Sequence, residues 1–233
     1  MSSPSRLLAF LAFALALALP AIAQPARAAG EENLSVNARL LLAARNGDAP
    51  GVERQLKEGA SANSRNRLGE TALVIALKKD DLRIAKAMLA AGTDVNLAAV
   101  NGVTPLMAAA YAGRADVVKA LLAKGADVHA LDRLNKNAMT YAAGQGHAEI
   151  VGLLLAKGVN PNAVYQNDLT ALMWAAGEGK IEAVKVLLAA GARTDLKDNR
   201  GKTAADIARE LKHDDAARLI ESPRAAKSAA AGR

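Results

Sequence analysis

Three histidines and two pairs of adjacent aspartates are the side chains of this 233-residue sequence that could do chemistry. His129, His147 and His213 could bind a metal ion through imidazole nitrogens, and Asp80–Asp81 and Asp214–Asp215 could act as paired acids and bases. No two of the histidines stand four residues apart, the spacing that places two ligands on one helix face. The residue types are present, but their spacing does not indicate a metal site.

Other catalytic patterns are missing from the sequence as well. The chain has no cysteine, which excludes disulfides, thiolate metal sites and a cysteine nucleophile. No serine lies in a Gly-x-Ser-x-Gly pattern, and no glycine-rich phosphate loop follows a strand pattern. We therefore expect no catalytic residue, no cofactor and no metal, and we expect that the protein is not an enzyme.

The stretch NGVTPLMAAAYAG at 101–113 indicates which elements position these side chains. Thr104 can cap a helix, because its hydroxyl accepts from the backbone N–H groups of the first turn. Pro105 suits the first helical position, and Gly113 can adopt a positive φ and end the helix. The stretch predicts a helix of about two turns, which is too short to be stable without a neighbour.

The same pattern recurs every 33 residues. A second set of glycines, also 33 residues apart, follows an apolar helical pattern such as VVKALLAKG, in which Val117, Val118, Leu121 and Leu122 form one stripe. Each unit therefore consists of a helix, a turn, a second helix, a glycine and a loop. The positions equivalent to Thr104 are Ala38, Thr71, Asn137, Thr170 and Thr203, and the glycines are Gly59, Gly92, Gly125, Gly158 and Gly191.

The combined pattern, G-x-TPL-x-x-AA-x-x-G followed by VV-x-x-LL-x-x-GAD, resembles the ankyrin repeat over about residues 34–221. The resemblance implies an all-α fold: an ankyrin-repeat solenoid of stacked helix-turn-helix units joined by β-turn or hairpin loops. About six units fit this range, and the first and last of them act as caps. The Ala- and Arg-rich composition is similar to that of exported, periplasmic ankyrin proteins of bacteria.

Some positions depart from the family pattern. The first unit has Ala38 in place of the capping threonine, and the last has Asp206 where the family often has histidine. Asn135 and Asp168 replace the glycine that precedes the cap by two residues. Asparagine and aspartate tolerate positive φ better than other side chains, so we expect these two turns to form.

The repeat gives the candidate catalytic residues a structural interpretation. His147 and His213 occupy the position of Arg114 after the first helix, where the family often has histidine, and His129 occupies a loop position that is asparagine elsewhere. The aspartate pairs fall at the ends of first helices and are expected in solvated turns. Tyr141 and Trp174 share the position four residues after the cap. We interpret these two aromatic residues as packing between units, with contact to a partner as the alternative.

Segments outside the repeat point to export. Residues 1–23 carry Arg6, an apolar run over 7–19 and small residues at 21–23, the pattern of a secretory signal cleaved after Ala23, with a second candidate site at Ala28. The apolar run is too short to span about 30 Å of hydrocarbon, so we expect no stable membrane anchor. We predict a flexible lead-in at 24–33, a disordered basic tail at 222–233, and a periplasmic or secreted location. Cleavage would lower the net charge from +7 to +6.

Residues that differ between equivalent positions are candidates for recognition. In ankyrin-like folds, the loop tips and the exposed end of the first helix line a concave face. Apolar residues at such tips, flanked by Arg and Lys, indicate contact with a protein whose surface is partly acidic. The predicted partner-binding residues are Arg67, Leu68, Glu70, Lys78, Lys79, Val100, Asn101, Val103, Tyr111, Arg133, Leu134, Lys136, Gln145, Gln166, Asn167, Leu169 and Glu178, and the row continues through Asn199, Arg200 and Lys202.

Three functions fit these features. The first is an exported, monomeric scaffold or adaptor that binds another protein through the concave face. The second is a protein that binds a polyanion or the cell-envelope surface through its positive charge and basic tail. The third is a secreted effector that acts on a host protein. Nucleic acid is not expected as a partner, because the basic residues are spread along the chain and only six residues are aromatic.

Overall fold

The structure, a computed structural model, describes residues 34–222, and its helices lie in one compact unit that begins at Ser35. The predicted signal segment (1–23), the lead-in (24–33) and the tail from residue 223 lie outside the described residues. The part of the chain that is described is all-helical, which confirms the predicted fold class. Its α-helices are α1 Val36–Asn46, α2 Ala49–Lys57, α3 Ala72–Lys78, α4 Leu82–Ala90, α5 Pro105–Tyr111, α6 Ala115–Ala123, α7 Ala138–Gln145, α8 Ala148–Ala156, α9 Ala171–Gly177, α10 Ile181–Ala189, α11 Ala204–Glu210 and α12 Asp214–Glu221.

The helices form six antiparallel pairs, which we number units 1 to 6 in chain order. The first helix of each unit packs on the first helix of the next, and the second helices pack in a parallel row. Five long loops join the units: loop A (58–71), loop B (91–104), loop C (124–137), loop D (157–170) and loop E (190–203). Each loop is counted with the unit that follows it, so loop A belongs to unit 2.

The predicted helix caps are present. The Thr104 hydroxyl accepts from the N–H of Met107, Pro105 is the first residue of α5, and Gly113 has a φ of 73°. Asn137 replaces threonine at the start of α7 and accepts from Thr140 in the same way. Unit 1 differs from the prediction, because Ser35 caps α1 three residues before the position of Ala38. The helix therefore gains a turn at its N-terminus.

Alanine fills the position where neighbouring first helices approach each other. The residue five places after each cap is fully buried in units 2 to 6, and a methyl side chain there allows the helices to pack closely. The second helices bury the predicted apolar stripe, including Val117, Val118, Leu121 and Leu122. These positions share one continuous core. Stability is then close to a sum over units and their interfaces. The buried alanines are Ala76, Ala109, Ala142, Ala175 and Ala208.

Each long loop folds back as a hairpin that one backbone hydrogen bond closes. In loop C, for example, the N–H of Asp132 donates to the carbonyl of Lys136 at 2.9 Å, and equivalent bonds close the other four loops. Asn135 and Asp168 adopt φ values of 54° and 58°, so both turns form at positive φ as predicted. Loop D has an additional feature, because Asn167 also has positive φ and Gln166–Asp168 forms a 3-10 turn.

Candidate functional site

The loops and the first helices together form one surface, which we call the inner face. Loop side chains form hydrogen bonds with the first helix of the same unit. The loop carboxylates of Glu70 and Asp132 accept from Lys78 and Tyr141, and Lys202 of loop E donates to Glu210. The loops cover one side of each first helix and the second helix covers another, so α3, α5 and α9 are almost entirely buried. Only the loop tips and the C-terminal ends of the first helices remain exposed on this face.

Most residues that were predicted to contact a partner are exposed on the inner face. Leu68 is 63% exposed, Val100 is 49% exposed and Leu134 is 53% exposed, which is unusual for large apolar side chains. Whether they bind a partner stays a prediction. The other exposed members of the set are Arg67, Lys78, Lys79, Asn101, Tyr111, Arg133, Gln145, Gln166, Asn167, Glu178, Asn199 and Arg200.

Two residues assigned to exposed tips are buried, so that part of the prediction is wrong. Val103 is 7% exposed and packs in the hydrophobic core, because the residue before the cap turns inward toward the first helix. Glu70 occupies the equivalent position in unit 2 and is 8% exposed. Lys136, Leu169 and Lys202, at the same position in units 4 to 6, are half-buried. This position faces the protein and not the solvent.

An ion pair inside unit 2 explains how a carboxylate is accommodated there. Lys78, at the end of α3, donates to Glu70 at 2.6 Å, and Asn66 donates to it at 2.8 Å. Burial alone would raise the pKa of Glu70, but these two hydrogen bonds and the charge of Lys78 lower it. Unit 6 has the same pair with the charges exchanged, Lys202 to Glu210 at 2.6 Å.

Unit 4 has no such ion pair, because the helix position equivalent to Lys78 is Gly144. The ammonium of Lys136 lies instead over the ring of Trp174 in the next unit, 4.6 Å from its centroid, and 5.9 Å from the centroid of Tyr141. Burial lowers the pKa of Lys136, and the charges of Asp132 and Glu178 oppose that change. Units 4 and 5 are thus joined by a cation between aromatic rings.

Tyr141 and Trp174 pack between units, as the first interpretation predicted. Trp174 is buried, and half-buried Tyr141 donates to Asp132 Oδ2 at 2.6 Å. Burial, followed by this hydrogen bond to a carboxylate, raises the pKa of Tyr141. Tyr111 of unit 3 meets Tyr141 edge to face, with the ring centroids 6.0 Å apart. Tyr111 and Tyr141 are therefore in contact, and the ammonium of Lys136 links Tyr141 to Trp174 of unit 5.

Two hydrogen bonds recur where one loop packs on the next. At the tips, the carbonyl of Leu68 accepts from Val100 N–H at 2.8 Å, and the carbonyl of Asn101 accepts from Arg133 N–H at 3.0 Å. Nearer the base of the loops, an asparagine side chain of one loop accepts a backbone N–H of the next. Asn96 of loop B accepts from Asp127 at 2.9 Å and also donates to the Gly125 carbonyl at 3.1 Å.

The junction of loops C and D, which we call the C–D seam, lacks both of these bonds within the described residues. His129 replaces the asparagine, and the N–H of Asn160 donates no hydrogen bond to it. At the tips, the Leu134 carbonyl and the Gln166 N–H are not bonded to each other. The D–E junction has both bonds again, through Asn162 and Asn167. The C–D seam is therefore open in a way that its neighbours are not.

Loops A and B closely approach the loops that follow them. A Cβ on Gly69 would lie 2.9 Å from the N of Val100, and one on Gly102 would lie 2.8 Å from the Cα of Asp132. Loops A and B thus contact their successors at a point where only glycine fits. Loop C has Asn135 at this position and does not form the tip bond with loop D. Loop D has Asp168 there and still bonds loop E, through the carbonyl of Asn167, which has a φ of 60°. A Cβ at this position is therefore not enough by itself to open a junction. Across the seam the contact is a different one, from Asn137 Nδ2 to the Tyr165 hydroxyl at 2.8 Å.

Two exposed apolar residues of the C–D seam were not predicted. Leu131 of loop C is 49% exposed, and Val164 at the equivalent position of loop D is 56% exposed. The sequence contained a signal for them, because the same position is Arg65, Ala98 and Lys197 in the other loops. Leu131, Leu134 and Val164 together make the seam the most apolar part of the loop row.

The histidines have structural surroundings. His147 Nε2 lies 3.0 Å from the Tyr111 carbonyl, and its ring covers Gly113, where a Cβ would lie 2.5 Å from the ring. The ring of His213 covers Gly179 in the same way. Asp80 pairs with Arg114 of the next unit, and Asp81 caps α4. In residues 34–222, no cluster of three or more potential ligands is placed to hold a metal ion.

No helix in the described range is long and apolar enough to cross a membrane.

A search of the curated proteins gives no match. Among solved structures, the chain is similar to the crystal structure of EF0377, an ankyrin repeat protein. The two share 31% sequence identity with a TM-score of 0.71, over 81% of this chain and 98% of that one.

The family model for ankyrin repeats matches residues 40–132 and 139–228, which together are more than half of the sequence. Each of the two matched ranges covers three of the helix pairs. Ankyrin repeats form an interaction scaffold and generally mediate contacts between proteins. The 33-residue register, the all-helical fold and the solved structure agree with this match, and the chain belongs to the ankyrin-repeat family.

Proposed function

We propose that this protein is exported and acts as an adaptor that binds another protein through its inner face. The observation that carries the proposal is the row of exposed apolar tips, Leu68, Val100 and Leu134. Apolar side chains on a loop tip are exposed to water, and their burial against a partner would be favourable. A set of such side chains on neighbouring loops is typical of an interaction surface. The signal pattern in residues 1–23 supports export.

Two arginines beside these tips support a partner with acidic groups. Arg65, Arg193 and Arg200 are held by hydrogen bonds within the protein. Arg67 and Arg133 are exposed and form no ion pair with any residue of the described range. An exposed guanidinium next to an apolar side chain matches a carboxylate beside an apolar patch on the partner.

Affinity capture from a periplasmic extract of the native host tests this proposal. The bait is residues 24–233, compared with the triple variant Leu68→Asp, Val100→Asp and Leu134→Asp. A matched control, Ala90→Asp, Ala123→Asp and Ala156→Asp, adds the same three charges at exposed last residues of second helices. Melting curves of all three proteins confirm that they fold.

A protein captured by the native bait and the control, but lost with the tip variant, is the expected result. Capture that falls equally with both variants and disappears at moderate salt would contradict the proposal and favour polyanion binding through net charge. Equal capture by all three baits would show that the tips are not the site.

A further inference from the structure

We propose that the C–D seam binds an extended segment of a protein partner, one that carries aliphatic side chains and a carboxylate. This inference rests on the proposed function, since it names the place on the inner face and the chemistry of what binds there. It goes beyond that function because it depends on the open seam and not on the apolar tips in general.

Two exposed backbone groups that are not bonded across the seam are the first reason. Within the described residues, the Leu134 carbonyl and the Gln166 N–H lack the bond that their equivalents form at the A–B, B–C and D–E junctions. The exposed edge of a hairpin whose N–H and C=O groups are not paired can add a further strand. The backbone of an extended segment offers a donor N–H and an acceptor C=O at every residue other than proline. It can therefore bond both the Leu134 carbonyl and the Gln166 N–H.

Apolar side chains flank these groups. Leu131 and Leu134 project from loop C and Val164 projects from loop D, each about half exposed or more. Successive side chains of an extended segment point to opposite sides, so alternate residues could cover this apolar patch. The A–B junction exposes Leu68 and Val100, but there the Val100 N–H is already bonded to the Leu68 carbonyl.

The charged residues of loop C indicate which charge the bound segment should carry. Loop C presents Arg133, exposed and without an ion pair in the described range, and half-buried Lys136. The buried carboxylate of Asp132 is used inside loop C, where it accepts from Tyr141 and from the N–H groups of Leu134 and Lys136. Two exposed acids belong to these loops: Asp168 on loop D, and Asp127 nearer the base of loop C, where its carboxylate accepts from the His129 N–H at 2.8 Å. A carboxylate of the bound segment is therefore complementary to loop C.

A display library of random 12-residue peptides, selected on residues 24–233, is the probe that tests this. Selected peptides are expected to alternate Val, Ile or Leu with other residues, to carry Asp or Glu, and to lack proline in the central positions. Their affinity is then measured by fluorescence polarisation with the native protein and with two matched double variants. Arg133→Glu with Leu134→Asp alters the open seam, and Arg67→Glu with Leu68→Asp makes the same changes at the bonded A–B junction.

The seam variant is expected to bind the peptides at least about tenfold more weakly, while the A–B variant keeps the native affinity. A third variant, His129→Asn with Asn135→Gly, introduces the residues that loops A and B have at these two positions. It is expected to lose peptide affinity although it removes no apolar or charged contact group. In the native protein, hydrogen exchange at the Gln166 amide should slow when peptide binds.

Other outcomes overturn the inference. Equal losses in the seam and A–B variants would mean that the tips bind without the seam, and the proposed function would stand alone. Failure to select any peptide, or selection of basic peptides, would contradict an acidic extended segment. A concentration-dependent dimer in sedimentation, abolished by the seam variant, would mean that a second copy of this chain occupies the seam.

Discussion

The B–C junction and the C–D seam are built from the same repeat, yet they are held together differently. Loop B reaches loop C through the Asn101 carbonyl and the Asn96 side chain, and Lys119 pairs with Glu149 at 2.6 Å in the second helices. One unit later, Gly152 occupies the position of Lys119 and cannot form an ion pair. Glu182, which occupies the position of Glu149, pairs with Lys185 of its own helix. The C–D seam relies on Tyr165 and on Lys136 over Trp174.

The comparison shows that two kinds of contact can vary separately in a repeat protein. The alanine and aliphatic core is the same at both junctions, so the helices stack without interruption. The polar contacts between loops differ, and they determine whether loop edges are closed or available to a partner. Experiments that change one kind of contact at a time can separate their contributions.

The largest effect is expected from the shared core. Ala142→Leu places a larger side chain where α7 meets its neighbours and should lower the free energy of unfolding by ~1–3 kcal/mol. Ala109→Leu should cost a similar amount, because the core is alike on both sides of unit 4. Urea denaturation measures both, with exposed Ala156→Leu as the control. A cost for Ala142→Leu far below that for Ala109→Leu would show that the core also differs.

Loop asparagines come next. Asn96→Ala removes two hydrogen bonds between loops B and C and should destabilise the protein by ~1–2 kcal/mol. His129→Ala removes no such bond from the C–D seam and should change the stability little. The two variants are compared by the midpoint of urea denaturation. If His129→Ala cost as much as Asn96→Ala, the histidine would be joining loops C and D after all.

The seam can also be closed. His129→Asn supplies an acceptor for the Asn160 N–H and a donor for the Gly158 carbonyl, as Asn162 does for loop E, and should stabilise by ~1 kcal/mol. Asn135→Gly relieves a residue at positive φ, which costs an L-residue ~1–2 kcal/mol, but glycine adds entropy to the unfolded chain, so the net gain should be ~1 kcal/mol or less. Lys212→Gly, also at positive φ but away from the seam, is the control for strain alone. Hydrogen exchange at Gln166 reports whether the tip bond forms.

The smallest effect is the pH dependence that distinguishes unit 2 from unit 4. The pKa of Glu70 is lower in the folded protein than its ordinary value, so the folded state gains stability from Glu70 above that ordinary value. This contribution is lost as the pH falls through the folded-state pKa. The native protein should therefore lose more stability than Glu70→Gln between neutral pH and about pH 3. Parallel curves for the two proteins would mean that the ion pair contributes nothing.

The fold could be predicted from the amino-acid sequence, because the fold depends on local features that repeat. The capping residue, the alanine five places after it and the glycine after the second helix each act within one unit, and their 33-residue spacing can be read directly. The sequence also shows which loop residues depart from the pattern, namely His129, Asn135 and Asp168. It does not show how these departures change the contacts between loops.

Only the tertiary structure decided which loop positions face solvent and which loops join. Val103 and Glu70 were expected at exposed tips and are buried, because the hairpin turns the residue before the cap toward the first helix. The C–D seam is open where the tip of loop C, with Asn135 at positive φ, meets the 3-10 turn Gln166–Asp168 of loop D. Both outcomes follow from contacts between groups far apart in the chain or on opposite sides of a turn. Such contacts have no period in the sequence, since they arise only when folded units are stacked.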